Sequence, residues 1–292
     1  MTKLIAPVKK LPVYTVERNG NSIQAIPDLV AVEEPLQIRL QWERAGNWQE
    51  KNLYVTMRTP GHDFDLAMGF LLAEGIIQRM EDVLFMRYCK RVKVEEEGNV
   101  VIVRLAPDTI CDLSHTDRNF LTNSSCGVCG KSSIDAIYGR LAEHPIAPSA
   151  VILPEVVYVL SSYLDQEQTG FKYTGGLHAA GLFDLSGQGL LVREDVGRHN
   201  ALDKLVGASY REGLLPNSSR IVLLSGRVSF ELVQKTAVAG VSVLAALGAP
   251  SSLAIDLAQK TGITLIGFLK KDRFNCYSHP ERIHGVGGKN SK

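Results

Sequence analysis

Residues 221–269 read IVLLSGRVSFELVQKTAVAGVSVLAALGAPSSLAIDLAQKTGITLIGFL. Three short apolar runs, Ile221 to Leu224, Val241 to Leu247 and Ile263 to Leu269, are rich in β-branched residues and read as buried strands. Two helical patterns separate them, Ser229 to Ala239 and Ser251 to Lys260, the second ended by Gly262. Strands that alternate with single helices are expected to lie parallel with right-handed crossovers. Outward toward the N-terminus, a hairpin is predicted from Leu177 to Leu185 and Gly189 to Asp195, joined through Ser186-Gly187-Gln188. A helix starting near Arg198 follows it and buries Ala201, Leu202, Leu205 and Val206. A further helical pattern runs from Pro154 to about Gln168.

The chain up to about Pro107 is strand-rich, with strands expected at Val13 to Val16, Leu36 to Trp42, Leu53 to Met57 and Val100 to Leu105. One helix interrupts them. Asp63 or Asp65 is expected to cap it, and Phe64, Ala67, Met68, Leu71 and Leu72 form its buried stripe before Gly75. Residues 108–125 are polar and lack periodicity, as a linker would. The organisation expected is a smaller strand-rich unit over 1–107, a linker with a cysteine motif and a short helix over 108–150, and an α/β unit over 151–292. The class is α/β at the C-terminal end and α+β overall.

The C-terminal order of elements resembles, in topology, the three-layer core of the cytidine deaminase superfamily. Topology does not carry function. Zinc deaminases need His-x-Glu at one helix start and Pro-Cys-x-x-Cys at the next. The matching starts here are Gly197-Arg198-His199-Asn200 and Ser225-Gly226-Arg227-Val228-Ser229, and the second has no cysteine. Deaminase chemistry, and zinc with it, is not expected.

With 292 residues, 45% hydrophobic and 22% charged, the chain can bury one large core or two modest ones. A net charge of +1 suggests neither a nucleic-acid nor a membrane partner. Met1 to Lys10 lacks the apolar core of a signal peptide, and the longest apolar stretch, Val238 to Leu247, is too short to span a bilayer. Five cysteines without framework spacing fit a reducing compartment, so a cytoplasmic protein is expected.

Cys126-Gly127-Val128-Cys129-Gly130 carries the reactive chemistry. Ile134, Ile137, Tyr138 and Leu141 recur behind it at helical spacing, which sets the cysteines at or before a helix start, with Ser124 and Ser125 as capping residues. Unpaired N–H groups there favour a thiolate, and such settings lower a cysteine pKa from about 8.5 to roughly 3.5–7.5. A thiolate can attack a disulfide, bind metal, or hold sulfur as a persulfide. Spacing alone leaves half a zinc site, a dithiol redox pair and a sulfur-carrying cysteine open. Zinc is the least favoured, because Cys89, Cys111 and Cys276 are single cysteines with no second CxxC.

Parallel strands share their carboxyl ends along one edge, where α/β sheets bind ligands. The loops at that edge are Ser225 to Ser229, Gly248 to Ser252 and Lys270 to Arg273. Ser225, Ser229 and Ser251, with Arg227, two helix starts and the cluster Lys270-Lys271-Asp272-Arg273, suit phosphate groups. The alternative is a solvated turn beside serines that merely cap helices. His199 is open in the same way. It either hydrogen-bonds near a helix start that Asp195 stabilises, or shares a bound anion with Arg198. His178 is weighed toward a structural role.

Several strings together resemble the formate dehydrogenase accessory sulfurtransferase family of FdhD type, over most of the chain. They are Arg58-Thr59-Pro60-Gly61, Ala73-Glu74-Gly75-Ile76, Ser125 to Gly130, Thr174-Gly175-Gly176-Leu177-His178, Glu194 to Asn200, Leu224-Ser225-Gly226-Arg227, and Gly267-Phe268-Leu269 leading to Tyr277. The resemblance implies a protein that takes sulfur from a cysteine desulfurase as a persulfide. It then passes that sulfur to the molybdenum cofactor, as Mo-bis(molybdopterin guanine dinucleotide), for the formate dehydrogenase apoenzyme. It implies Cys126 as the persulfide carrier, Cys129 as its neighbour, and Phe268, Leu269, Lys270, Lys271, Asp272 and Arg273 as the cofactor stretch. It also implies a homodimer. The rival readings are a cofactor or apoenzyme chaperone without chemistry, and a dithiol oxidoreductase.

Overall fold

The computed structural model describes residues 5–16, 23–107, 109, 113 and 151–286. The Cys126–Gly130 motif, its expected helix and most of the expected linker lie outside the described residues.

Alternation in the strands explains the layering. Strands β9 (Arg220–Leu224), β10 (Val243–Ala246) and β11 (Thr264–Gly267) are parallel, as expected from the sequence. Strand β7 (His178–Asp184) runs antiparallel to β9, β8 (Gly189–Asp195) closes the hairpin, and β12 (Asn275–Cys276) adds to the far edge. The six-stranded order is β12-β11-β10-β9-β7-β8. Ile221 and Leu223 turn to one face, where helix α2 (Pro154–Glu167) packs through Val157, Leu160 and Leu164. Val222 and Leu224 turn to the other, toward α4 (Arg198–Arg211), α5 (Phe230–Val238) and α6 (Ser252–Thr261). A short helix, α3 (Thr169–Thr174), joins α2 to β7.

The N-terminal strands build a second sheet in the order β4-β3-β6-β5, from β3 (Glu34–Arg44), β4 (Asn47–Arg58), β5 (Val83–Tyr88) and β6 (Val100–Leu105). Its apolar face, Leu36, Ile38, Leu40, Val101 and Val103, belongs to the same buried cluster as α4 and α5, with α1 (Asp63–Ala73) between. One continuous core therefore joins the two sheets. A ribbon of β1 (Val8–Val16) and β2 (Ile23–Ala31) stands apart as a two-stranded sheet.

Helix α1 departs from expectation. Its N-cap is His62 at φ 57°, with no side-chain cap. Asp63 instead accepts two bonds from the Arg58 guanidinium, at 2.9 and 2.8 Å, and one from the Tyr88 hydroxyl at 3.0 Å. Asp65 faces Arg193 at 3.3 Å and pairs with Arg211. The cause is burial. All of α1 except Phe64 is buried rather than a single stripe, so both carboxylates are held by guanidinium groups from other elements.

Most of the expected strands and helices match within a residue or two, but β1 begins five residues before the expected Val13 and β4 six before the expected Leu53. The elements not anticipated, β2, β5, α3 and β12, are short or largely exposed and carry weak patterns.

Candidate functional site

The antiparallel hairpin brings its own chain ends to the ligand edge of the parallel strands. Ala180 pairs with Leu224, and His178 pairs with Asp195. The start of β7 and the end of β8 therefore lie beside the carboxyl ends of β9, β10 and β11. Loops 174–178, 195–200, 225–229, 248–252 and 268–273 meet along one rim.

Backbone bonds tie these loops together. Val228 N–H donates to Ala249 O at 3.0 Å, Ser251 N–H to Val228 O at 3.0 Å, and Phe268 N–H to Gly248 O at 3.1 Å. A Cβ on Gly248 would stand 2.8 Å from the backbone of Arg227 and Gly226, so this approach requires glycine.

The sequence-predicted residues divide into two groups. Arg227, Lys270, Lys271, Asp272 and Arg273 are exposed, and their side chains make no hydrogen bond or ion pair among the described residues. A backbone bond from Lys270 N–H to Arg273 O at 2.8 Å folds that cluster into a tight turn. Phe268 sits at φ 51°, a conformation unfavourable for a bulky residue, and is 44% exposed. Leu269, by contrast, is buried in the core shared with α2, where it anchors the turn.

The serines have structural partners. Ser225 Oγ accepts the Ala179 N–H at 2.9 Å, Ser229 Oγ meets His199 Nε2 at 3.1 Å, and Ser251 Oγ accepts the Ala254 N–H at 3.3 Å to cap α6. The capping alternative thus holds for Ser251, while the starts of α4 and α5 carry no side-chain cap. Those first-turn N–H groups are left without a side-chain cap at the rim.

His199 takes the hydrogen-bonded role. Besides Ser229, it lies 3.6 Å from Glu231 Oε2. Burial holds its imidazole down at about 4, with Glu231 opposing and Lys235, Arg198 and His178 reinforcing. The unfolded chain takes up this proton near pH 6.5, whereas the folded protein refuses it until about 4. The stabilisation is therefore intact above pH 6.5 and lost as pH falls toward 4, by about 3 kcal/mol in all. His199→Gln should remove this part of the acid sensitivity. Urea unfolding near pH 7.5 and pH 5 should show the variant losing about 2 kcal/mol less than the parent. Equal losses would contradict it.

Asp195, expected at this helix start, and two residues the sequence did not single out, Thr59 and Lys204, hold the rim in place. Asp195 is fully buried; its Oδ2 accepts the Thr59 N–H at 3.1 Å and meets Lys204 Nζ at 2.7 Å. Its Oδ1 accepts from Gly197 N–H at 2.8 Å and Asn200 Nδ2 at 3.2 Å. Thr59 Oγ1 accepts the Val196 N–H at 3.1 Å, and Lys204 Nζ also donates to Thr59 O at 2.8 Å. The Arg58–Gly61 loop of the first sheet is thereby fixed against the second. Thr59 stood in a quoted motif, but nothing local marked its partners. Lys204 carried one sequence signal, a charged residue on the buried face of α4.

Cys89 is buried in a small cluster with Val100 and Ile102, and burial raises the Cys276 thiol, so neither is prepared for nucleophilic work. Among the described residues, no three His, Cys, Asp or Glu side chains gather as metal ligands, and no helix is long and apolar enough to cross a membrane.

Loops gathered at the strand ends of this mixed α/β protein bring together exposed cations and helix starts without side-chain caps, groups whose chemistry suits an anion. The FdhD/NarQ family model matches residues 31–284, so the chain belongs to the FdhD/NarQ family. Relatives named "Sulfur carrier protein FdhD" agree. That of Streptomyces coelicolor is 46% identical over 270 residues, covering 91% of this chain and 92% of the relative. That of Mycobacterium tuberculosis is 45% identical over 262 residues, covering 88% and 92%. That of Anaeromyxobacter dehalogenans is 43% identical over 296 residues, covering 98% of each. A crystal structure from Desulfotalea psychrophila, described as a proposed formate dehydrogenase accessory protein, superposes with a TM-score of 0.71. It covers 94% of this chain and 99% of its own at 21% identity, which speaks to the fold alone.

Proposed function

We propose that this protein is a cytoplasmic sulfurtransferase, homodimeric, that receives sulfur from a cysteine desulfurase as a persulfide on Cys126. It delivers that sulfur to the molybdenum cofactor, bound as Mo-bis(molybdopterin guanine dinucleotide), for a formate dehydrogenase apoenzyme. The relatives' name supports the sulfur-carrying half. One observation carries the cofactor half: Arg227, Lys270, Lys271 and Arg273, exposed and without side-chain partners among the described residues, stand on the rim beside an uncapped helix start and a strained, exposed Phe268. In this reading the cofactor is a substrate. Phosphates take the cations and helix N–H groups, Phe268 offers a face for a guanine, and Ser225 keeps a hydroxyl proton to donate. Asp272 fits differently, since a carboxylate accepts hydrogen bonds and suits the N–H edge of a guanine rather than a phosphate.

On this account the α/β unit over 151–292 is a deaminase-like scaffold freed of its zinc, and the strand-rich unit over 1–107 braces it. Cys129 shares or relays the sulfur.

GDP serves as a mimic of half the cofactor. Calorimetric titration should show binding that Arg273→Ala weakens by about tenfold, because a guanidinium fork gives paired hydrogen bonds that an ammonium cannot. Lys271→Ala should weaken it less. Unchanged GDP affinity after replacing both Arg227 and Arg273 would place the cofactor elsewhere.

A further inference from the structure

We propose that the β1–β2 ribbon is the arm by which two copies of this chain hold each other, with the face made by Pro12, Tyr14, Val16, Ala25, Pro27 and Leu29 seated on the partner copy.

The register defines that face. Val32 N–H donates to Pro7 O at 2.9 Å, which makes Pro7 and Val32 a hydrogen-bonded pair at the base of the ribbon. Such pairs alternate with non-hydrogen-bonded ones along antiparallel strands. Lys10 opposite Leu29, Pro12 opposite Pro27 and Tyr14 opposite Ala25 therefore fall on the non-hydrogen-bonded set, whose side chains share one side of the ribbon. Lys10 is the one charged residue on that side among the described residues. The opposite side mixes Lys9, Thr15 and Asp28 with Leu11, Val13 and Ile26, as a solvated face does.

The apolar side is open. Tyr14 is 73% and Val16 70% exposed, and Pro12, Ala25 and Pro27 are exposed beside them. Toward the base, α3 packs on β2, Ala31 lies beside Gly176, and residues 29–31 become half-buried. Two strands by themselves are marginal in water, so an apolar ribbon of this length calls for cover.

The prolines decide how the cover docks. On a non-hydrogen-bonded pair the backbone nitrogens point to the outer edges, so Pro12 and Pro27 each remove a donor at the middle of one edge. Strand addition is blocked on both edges, and the partner must take the face. Its composition decides who the partner is. A client that comes and goes leaves its docking surface in water between visits, and such surfaces are polar and charged. Permanent interfaces between copies are more apolar. A side with one lysine is of the permanent kind, and a second copy is present whenever the chain is. The net charge of +1 opposes this pairing little. A face of about 30 Å by 10 Å, lent by each copy and received from the other, approaches the roughly 800 Å² per copy of a standard interface. The proposal rests on the homodimer of the reading above and not on its sulfur chemistry.

Sedimentation equilibrium of the full-length protein at micromolar concentrations tests it. The parent should run at twice the mass of one chain. Tyr14→Glu and Val16→Glu should each weaken the dimer at least about thirtyfold, since each sets a charge without a partner into an apolar contact. Thr15→Glu, between them on the strand, points to the other side and should leave the dimer intact. Loss of ribbon folding would act alike on all three, so equal losses overturn the face contact, as does a dimer that survives Tyr14→Glu and Val16→Glu. A monomeric parent overturns the face together with the homodimer, and a monomer that binds purified cysteine desulfurase through Tyr14 assigns the face to a client instead. Persulfide loading of Cys126 is read separately by mass, so failure of the face and failure of the sulfur reading are distinct results.

Discussion

Cells whose only copy carries Cys126→Ala are expected to have no active formate dehydrogenase, although the protein itself folds normally. The prediction follows from sulfur chemistry. A persulfide needs a sulfur atom to bond the incoming sulfur, so Cys126→Ser should fail as completely as alanine. The thermal midpoint of either variant is expected to match the parent's, because both replacements are as small as cysteine. Cys129→Ala should lower activity partly, as expected of a neighbour that shares the sulfur. Enzyme assays on extracts, beside melting curves of the purified variants, separate lost chemistry from lost folding. Normal formate dehydrogenase activity with Cys126→Ala would end the persulfide assignment.

The largest effect on stability is expected at Gly207, where α4 crosses α1 backbone to backbone. A Cβ there would stand 2.0 Å from Asp65 O and 2.8 Å from Gly69 N. The contact is reciprocal, since a Cβ on Gly69 would stand 1.9 Å from Asp203 O. Backbone atoms cannot rotate aside as a side chain can, so the helices would have to separate. Two buried charge systems leave them no freedom to do so. Asp65 is held by Arg193 from β8, and Asp203 by Lys235 from α5 at 2.8 and 2.9 Å. Burial by itself would lower the Lys235 pKa, but Asp203 beside it keeps the ammonium charged, and separating such a pair in the interior is costly. Gly207→Val should therefore cost at least about 3 kcal/mol and leave little soluble protein, with Gly207→Ala milder in the same direction. Urea unfolding measures both. An unchanged midpoint for the valine variant would show that the crossing is looser than this geometry requires.

These two sites mark what local sequence does and does not disclose. The parallel strands Ile221–Leu224, Val243–Ala246 and Thr264–Gly267 were legible because each is a compact apolar run set between periodic helices. The rim cations were legible for the same reason, since strand order alone brings Arg227 and Lys270 to Arg273 to one edge. The serines beside them also have partners within the fold that nothing nearby reveals, Ser225 accepting the Ala179 N–H and Ser229 meeting His199.

The acidic start of α1 misled in the opposite way. Asp63 and Asp65 look like caps, yet their partners include Arg193 and Arg211, well over a hundred residues away. Thr59 was silent for the same reason, its carboxylate partner being Asp195 on the other sheet. Long-range polar pairing leaves no periodic trace, whereas burial does. The chemistry of Cys126 and Cys129 stands on their spacing and family membership, since both fall outside the described residues.

The most direct test of the central claim is intact and peptide mass spectrometry of the purified full-length protein after incubation with a cysteine desulfurase and cysteine. The account predicts the gain of one sulfur atom, mapped to the peptide containing Cys126, removed by reductant and absent from Cys126→Ala. Loss of two hydrogens across Cys126 and Cys129 would instead identify a dithiol redox pair, and an unchanged mass would identify a cofactor holder. Either result would contradict it.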